Sequence, residues 1–487
     1  MRDLLGVGGT TSSDHSFATD DSFEKFTNIA GLANDTIQPT QLDTYLETAF
    51  ALADTVLSTK TLYSKFFADS CFAAGAPDCK PAVIRKLVSL AFRRPVTDAE
   101  NATYQALYAG LIADGQDWQQ ALRWTFAAAL TSPNFLFKRI DQPVGTTGVT
   151  SLSQYELASR MSYFLWQSLP DDALLAAAAK SELSTGAQLD AQVKRMLQDP
   201  RAEALIDTFF TQWFELNAVD DASPSAAVYP HFSESIRGKF KTEARLFFKE
   251  IIRGDHSLYD LLHGNYTFAD AELAQFYGVA APSSSTDFSK VDLTGSHRAG
   301  NGVLGLGSIL TLTSRPDETS VVRRGRWLMD NLLCPPPTPL PDATIDTSVV
   351  QGLDPADAVA YRKANPQCAS CHAKMDPIGI SLEHFDGIGQ YRTSYPNAKM
   401  VNSNGQLPDG TQVDSATALG EVLGASDQFK ACVVKKMVMF SLNRAISSDD
   451  RCTVNTIALA HVTPSTPVSA VISAIVQNDV FTKQAGE

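Results

Sequence analysis

Two thiols three residues apart, with an imidazole directly after the second, stand at Cys368-Ala-Ser-Cys371-His372. This spacing fits few chemistries. Two thioethers can fix a porphyrin edge while the adjacent histidine supplies the proximal iron ligand, which is the pattern of haem c attachment. A zinc site would need a second ligand pair at similar spacing; none is present, and Cys432, Cys452 and His384 would have to be recruited singly. A redox pair of the thioredoxin type would follow a strand and open a helix at its first cysteine. Here YRKANPQ precedes it, helical in character and then broken by Pro366. With seven Cys and eight His in 487 residues, a chance match is uncommon. One covalent haem c is the expected cofactor, with zinc or a plain disulfide as the alternatives.

An iron held by His372 has a sixth position to fill. Met375 is too close, because three residues span at most ~10 Å and cannot round the ring edge and return to the metal. Met437, Met439 and Met400 lie far enough along the chain. Met437 and Met439 are two apart on one expected helix, so at most one can ligate; this pair is expected ahead of Met400, and an open iron face is the competing state. Haem propionates suit bidentate arginines. Arg392 and Arg324 are the candidates, ahead of Arg315, Arg323 and Arg326; the alternative is that they are solvated helix charges or partners of Asp317 and Glu318. Asp376, Glu383 and Asp386 follow the motif, either as acid–base groups or, more simply, as caps and turn formers. No catalytic residue is assigned.

The five other cysteines bear on compartment. Cys71 and Cys79 would close the short CFAAGAPDC loop, and Cys432 and Cys452 bracket a helix and the polar turn SLNRAISSDDR, leaving Cys334 spare. Two disulfides imply an oxidising setting; the alternative is a set of free, buried thiols. The stretch after Met1, RDLLGVGGTTSSDHS, has no apolar h-region.

The elements that must position these residues are overwhelmingly helical. QLDTYLETAFALADTVL sets Leu42, Leu46, Ala49, Ala53 and Val56 on one face, and DWQQALRWTFAAALTSP does the same with Trp118, Leu122, Phe126 and Ala129. Ser153 and Glu156 are in capping-box register. Further helices fit 186–198, 201–215, 232–253, 320–333, 415–423, 427–443 and 467–479. Regular strand is expected largely around 395–413, where Asn-Gly and Asp-Gly mark turns. CPPPTPLPD at 334–342 is a stiff linker. The expected fold is mainly α, multi-domain, with a C-terminal cytochrome-c-like haem module. Its segments are 1–66 (a partial helical unit), 67–145, 146–333 (a large helical unit), the 334–342 linker, 343–398 (haem attachment) and 399–487 (C-terminal helices).

Length and composition agree with several modules. The 44% hydrophobic and 19% charged content is that of a globular chain, and the net charge of −14 argues against a nucleic-acid partner. No apolar run approaches the ~18 residues of a membrane span.

CASCHAKMDPIGISLEHFDGIGQYR resembles the corresponding block of a family of large bacterial c-haem proteins, secreted or periplasmic, built from consecutive domains of unknown function. RDLLGV, LVSLAFRRPVTDAE, YELASRMSYFLWQSLPDD, NYTFADAELAQFYGV, TSRPDETSVVRRGRWLMDNLLCPPP and GQLPDG are similar to its other blocks, in order. The resemblance implies periplasmic or secreted location. Family members usually carry a signal, and often a further cytochrome domain, ahead of RDLLGV, so the chain is expected to be truncated at its N-terminus or to have a misplaced start. The family's chemistry is largely unassigned. Electron transfer to a partner protein is the leading expectation. A haem-dependent oxidoreductase, peroxidase- or oxygenase-like, acting on a small molecule comes second, and a binding or assembly protein with a structural haem third.

Overall fold

The computed structural model describes residues 2–7, 24–27, 39–64, 66, 79–137, 148–282, 285–336, 348–350 and 353–485. The described chain is mainly helical, as its periodicity requires.

The first helical unit packs Pro39–Ser58, Cys79–Phe92, Asp98–Ala113 and Trp118–Leu130 around one core. Ala49, Ala53 and Val56 of the expected face are buried, as are Leu122, Phe126 and Ala129; Leu42 is exposed. Thr97 and Glu100 form a reciprocal capping box at the Asp98–Ala113 helix. Leu4, Leu5 and Val7 join this core, so residues on both sides of 66 share it.

A second, larger core runs from Leu152 to Phe481 and also takes in Phe26. It is opened by the Gln154–Trp166 helix, where the Ser153 hydroxyl accepts from Glu156 N and the Glu156 carboxylate accepts from Ser153 N at 2.7 Å. The 201–215 stretch is helical but tightens and widens through a π turn at Ile206–Phe210, which aims Phe210, Trp213 and Phe214 into a stacked set with Phe248 and Trp327. Trp327 is therefore core, with its indole N–H donating to Phe214 O. The Glu234–Arg253, Ala416–Ala425, Asp427–Leu442 and Val468–Gln477 helices complete this body.

Strand is less confined than expected. Gly405–Gln406 pairs with Gln412–Val413 as anticipated, with Asp409-Gly410 at the turn. Two further antiparallel pairs occur: Val149–Ser151 with Lys483–Ala485, and Tyr266–Ala269 with Ser289–Asp292. In Tyr266–Ala269 buried positions alternate with part-exposed ones, a period of two too short to stand out beside its helical neighbours.

The helix carrying the cysteine motif, Pro366–Gly379, lies between Val321–Leu328 and Pro355–Ala364. Its approach to Val321–Leu328 is set by two glycines. A Cβ on Gly325 would sit 1.8 Å from the Met375 carbonyl oxygen, and one on Gly379 would sit 2.0 Å from Val321 O. Only hydrogen fits at either place.

The disulfide expectation is corrected in part. Cys432 bonds Cys334, with Cα atoms 5.3 Å apart, while Cys452 is free and exposed. Cys334 caps the π-helical turn Met329–Leu333 beside the Asp427–Leu442 helix, which buries Cys432 against it; Cys452 faces outward from the Asp450–His461 helix. Cys79 is disulfide-bonded; its expected partner Cys71 lies outside the described residues, as do 337–342 of the proline-rich stretch.

Candidate functional site

Pro366 at the first helical turn and Asn365 as N-cap start the motif helix immediately before the cysteines. Cys368, Cys371 and His372, at i, i+3 and i+4, consequently share one face. Cys368 and Cys371 are unbonded, the first buried and the second part-exposed. His372 has 23% of its side chain exposed, and its Nδ1 lies 2.9 Å from Oδ1 of the fully buried Asp376 one turn on. The other oxygen of Asp376 accepts from Arg362 Nε on the preceding helix. This chain of contacts fixes the imidazole by one nitrogen and leaves Nε2 for a ligand. Metal-binding histidines are commonly oriented by such a carboxylate. Among the described residues no group of three or more His, Cys, Asp or Glu side chains is gathered to hold a metal ion.

Exposed apolar side chains stand on and beside the helix that adjoins the motif. Leu353 and Tyr361 are exposed on or beside the adjoining Pro355–Ala364 helix, with Val349 just upstream. Met400 is 73% exposed, in a loop pinned on both sides. Asn397 and Lys399 bond Asp354 at the start of that helix, Lys363 bonds Gln406 at 3.2 Å, and Gly405 presses on Pro377 O. Met437 and Met439 are placed differently: both are buried in the large core on the Asp427–Leu442 helix, which packs on Met329–Leu333, Gln154–Trp166 and Asp450–His461.

The two arginines expected at haem propionates meet a carboxylate of the protein itself. Arg324 is fully buried, 3.0 Å from Glu383 Oε1, and donates to the carbonyls of Leu382 and Asp386 at 2.8 Å each. Arg392 donates to Glu383 Oε2 at 2.7 Å and to Glu383 O at 2.9 Å. One buried carboxylate thus pairs with both guanidinium groups. Arg315 pairs with Glu318 and Arg326 with Asp330, while Arg323 bonds Ser314 O, so these three are surface or turn contacts.

The carboxylates after the motif divide by role. Asp376 holds His372, and Glu383 neutralises the two arginines. Asp386 accepts from the backbone N–H groups of Ile388 and Gln390, forming the FDGIG turn; burial pushes its carboxyl above the usual range. His384 bonds Arg392 O through Nδ1 and stacks 5.4 Å from Tyr391. Sequence reasoning missed Arg362: its spacing from Asp376 carries no signal, because the pair forms between two helices.

Comparison with family models matches four consecutive stretches of the chain. Residues 79–139 match Protein of unknown function (DUF1595), and 152–279 match Protein of unknown function (DUF1592). Residues 300–395, which contain the motif, match PSCyt3, Protein of unknown function (DUF1588), and 409–481 match Protein of unknown function (DUF1585). The chain is a multi-domain assembly of such units. Comparison with curated proteins and with solved structures returns no match. No helix among the described residues is long and apolar enough to cross a membrane.

Proposed function

We propose that the chain is a c-type cytochrome-like redox protein that passes electrons to a partner. The observation that carries this reading is the motif helix itself: Cys368, Cys371 and His372 on one face, with the imidazole oriented by a buried carboxylate. Cys368 and Cys371 would hold the porphyrin edge and His372 Nε2 the iron. When bound, haem c supplies a one-electron Fe(III)/Fe(II) couple. Asp376 accepts the Nδ1 proton of His372, which keeps the ring in the tautomer that presents Nε2 and raises its donor strength. Arg362 holds Asp376 in place. Leu353 and Tyr361 offer apolar surface for the macrocycle, and Met400 is the thioether positioned outside the core. The name of the matching model, PSCyt3, hints at a cytochrome-like unit. The Cys334–Cys432 disulfide supports an oxidising, periplasmic or secreted, setting. A net charge of −14 suits docking to a basic redox partner.

The test is expression with export to the periplasm of a host that attaches haem c. Denatured protein should keep its haem stain on a gel, and Cys371→Ala should weaken or abolish it. Protein that emerges without covalent haem, or with stoichiometric zinc, would sink the reading. Rapid cyanide or peroxide binding, unchanged in Met400→Ala, would make a haem-dependent oxidoreductase the better assignment.

A further inference from the structure

A cavity of about 550 Å³ opens far along the chain from the motif, where three stretches converge. They are the turn after the Cys79–Phe92 helix, the first turns of the Gln154–Trp166 helix, and the residues that follow the Asp427–Leu442 helix. Four guanidinium groups line it: Arg93, Arg94, Arg160 and Arg444. In a chain of net charge −14 this wall inverts the local sign.

Two of the four carry their own carboxylate. Arg94 makes paired bonds to Glu100 at 2.8 and 2.9 Å, and Arg444 to Asp450 at 2.6 and 3.0 Å. The other two do not. Arg93 is buried and spends its donors on the carbonyls of Asn134, Phe135 and Phe137. Arg160 donates to Phe481 O at 2.6 Å and to the Gln484 side chain at 3.3 Å. Among the described residues no carboxylate stands within ion-pair distance of Arg93 or Arg160. Glu156 is the one acidic side chain in the lining among the described residues. Among the described residues, counting Glu156, Glu100 and Asp450 against the four arginines leaves the wall positive. Burial foremost, and then repulsion from Arg444, lowers the Arg160 guanidinium to about 10 against the attraction of Glu156. Two guanidinium groups that line one cavity, each anchored on its own backbone carbonyls, form a preorganised site for an oxyanion.

The size and the remaining lining narrow the class. The cavity falls in the ~300–1,000 Å³ range of small-molecule sites and is far roomier than a bare inorganic ion requires. Tyr155 and Ser159 add a ring and a hydroxyl. We propose that this cavity binds a small hydroxylated organic oxyanion, a carboxylate or a phosphate or sulfate ester. Arg160 and Arg93 meet its acidic group, and Tyr155 and Ser159 its body. The site is independent of the haem reading.

Titration calorimetry of the full chain at low ionic strength tests this with glucuronate, glucose 6-phosphate and glucose 6-sulfate, against glucose and inorganic phosphate. At least one acidic sugar should bind saturably at one site, with no heat from glucose; which one binds names the acidic group. Arg160→Gln should weaken that binding by at least about tenfold. Because Arg160 also ties down the chain near Phe481, a second variant fills the cavity and spares every arginine: Ser159→Trp should weaken binding by a similar factor. Absence of saturable binding by all three acidic sugars overturns the proposal, as does binding unaltered by Ser159→Trp. Inorganic phosphate binding as tightly as its sugar ester would overturn the organic body.

Discussion

His372 Nδ1 and Asp376 Oδ1 lie 2.9 Å apart, one helical turn separating the two residues and full burial shielding the acid. An imidazole that shares its proton with a carboxylate is a stronger donor through its other nitrogen, and it favours the more oxidised of two metal states. In haem-loaded protein, Asp376→Asn paired with Arg362→Gln should keep the covalent stain and raise the midpoint potential. Identical potentials in variant and wild type would remove Asp376 from the iron's surroundings. The pair is changed together because deleting one member of a buried ion pair costs about 3–5 kcal/mol.

The methionines can be told apart by spectrum and stability. Met400→Ala should abolish the far-red charge-transfer band of a thioether-ligated ferric haem and leave stability nearly unchanged, since its side chain is exposed. Met437→Ala and Met439→Ala should keep the band and lose about 2–5 kcal/mol to the cavity each creates. A band lost in either core variant, with Met400→Ala normal, would restore the sequence-based order.

The glycine crossing predicts opposite signs for one mutation type. Gly325→Ala drives a methyl into backbone at 1.8 Å and should cost about 3 kcal/mol or more. Gly238→Ala, on the Glu234–Arg253 helix, meets nothing within 4 Å and should gain up to about 1 kcal/mol of helix propensity. Urea unfolding of the two variants decides it; equal midpoints would mean that the helices do not cross here.

Cys334 and Cys432 close a loop of sequence separation 98. Replacing both with Ala should cost about 2–4 kcal/mol. Non-reducing peptide mapping should recover the two joined, with Cys452 alkylated in native protein. A Cys432–Cys452 peptide would reverse the assignment.

Glu203 accepts from Arg245 at 2.6 Å and Lys249 at 2.7 Å, and these bonds, Lys249's first, lower its carboxyl from 4.5 to about 2. A carboxyl with a depressed folded-state value contributes stability that is fully present above the unfolded value and is lost as pH falls through the folded one. Wild type should therefore exceed Glu203→Gln in melting temperature at neutral pH, with the gap closing between about 4.5 and 2. A gap that stays constant across that window would show the pair to be without effect.

What sequence made legible was local. Helical faces, the two-way cap at Ser153 and Glu156, and the motif's own face all follow from spacings of three and four residues. What it hid was held across distance. Arg324 finds Glu383 59 residues away, a buried pair that no local spacing announces. Cys432 could be matched to its neighbour in sequence, yet the π turn at Met329–Leu333 presents Cys334 instead. Thr150 pairs with Gln484 from the far end of the chain, and no pattern in VTS announces it. That Met400 is exposed while Met437 and Met439 are buried was likewise hidden, because residue type alone does not separate a packed thioether from an exposed one.

The Cys334–Cys432 bond also makes a covalent ring with the motif inside it. A single backbone cut anywhere between the two cysteines opens the ring without parting the chain, so a nick there releases neither fragment. The same ring imposes a sorting problem on maturation. On the proposed haem attachment, its closing cysteines would be oxidised while the two it encloses, Cys368 and Cys371, stay reduced. The pairing of Cys432 with Cys334, with Cys368 and Cys371 unbonded, already separates the four into two sets.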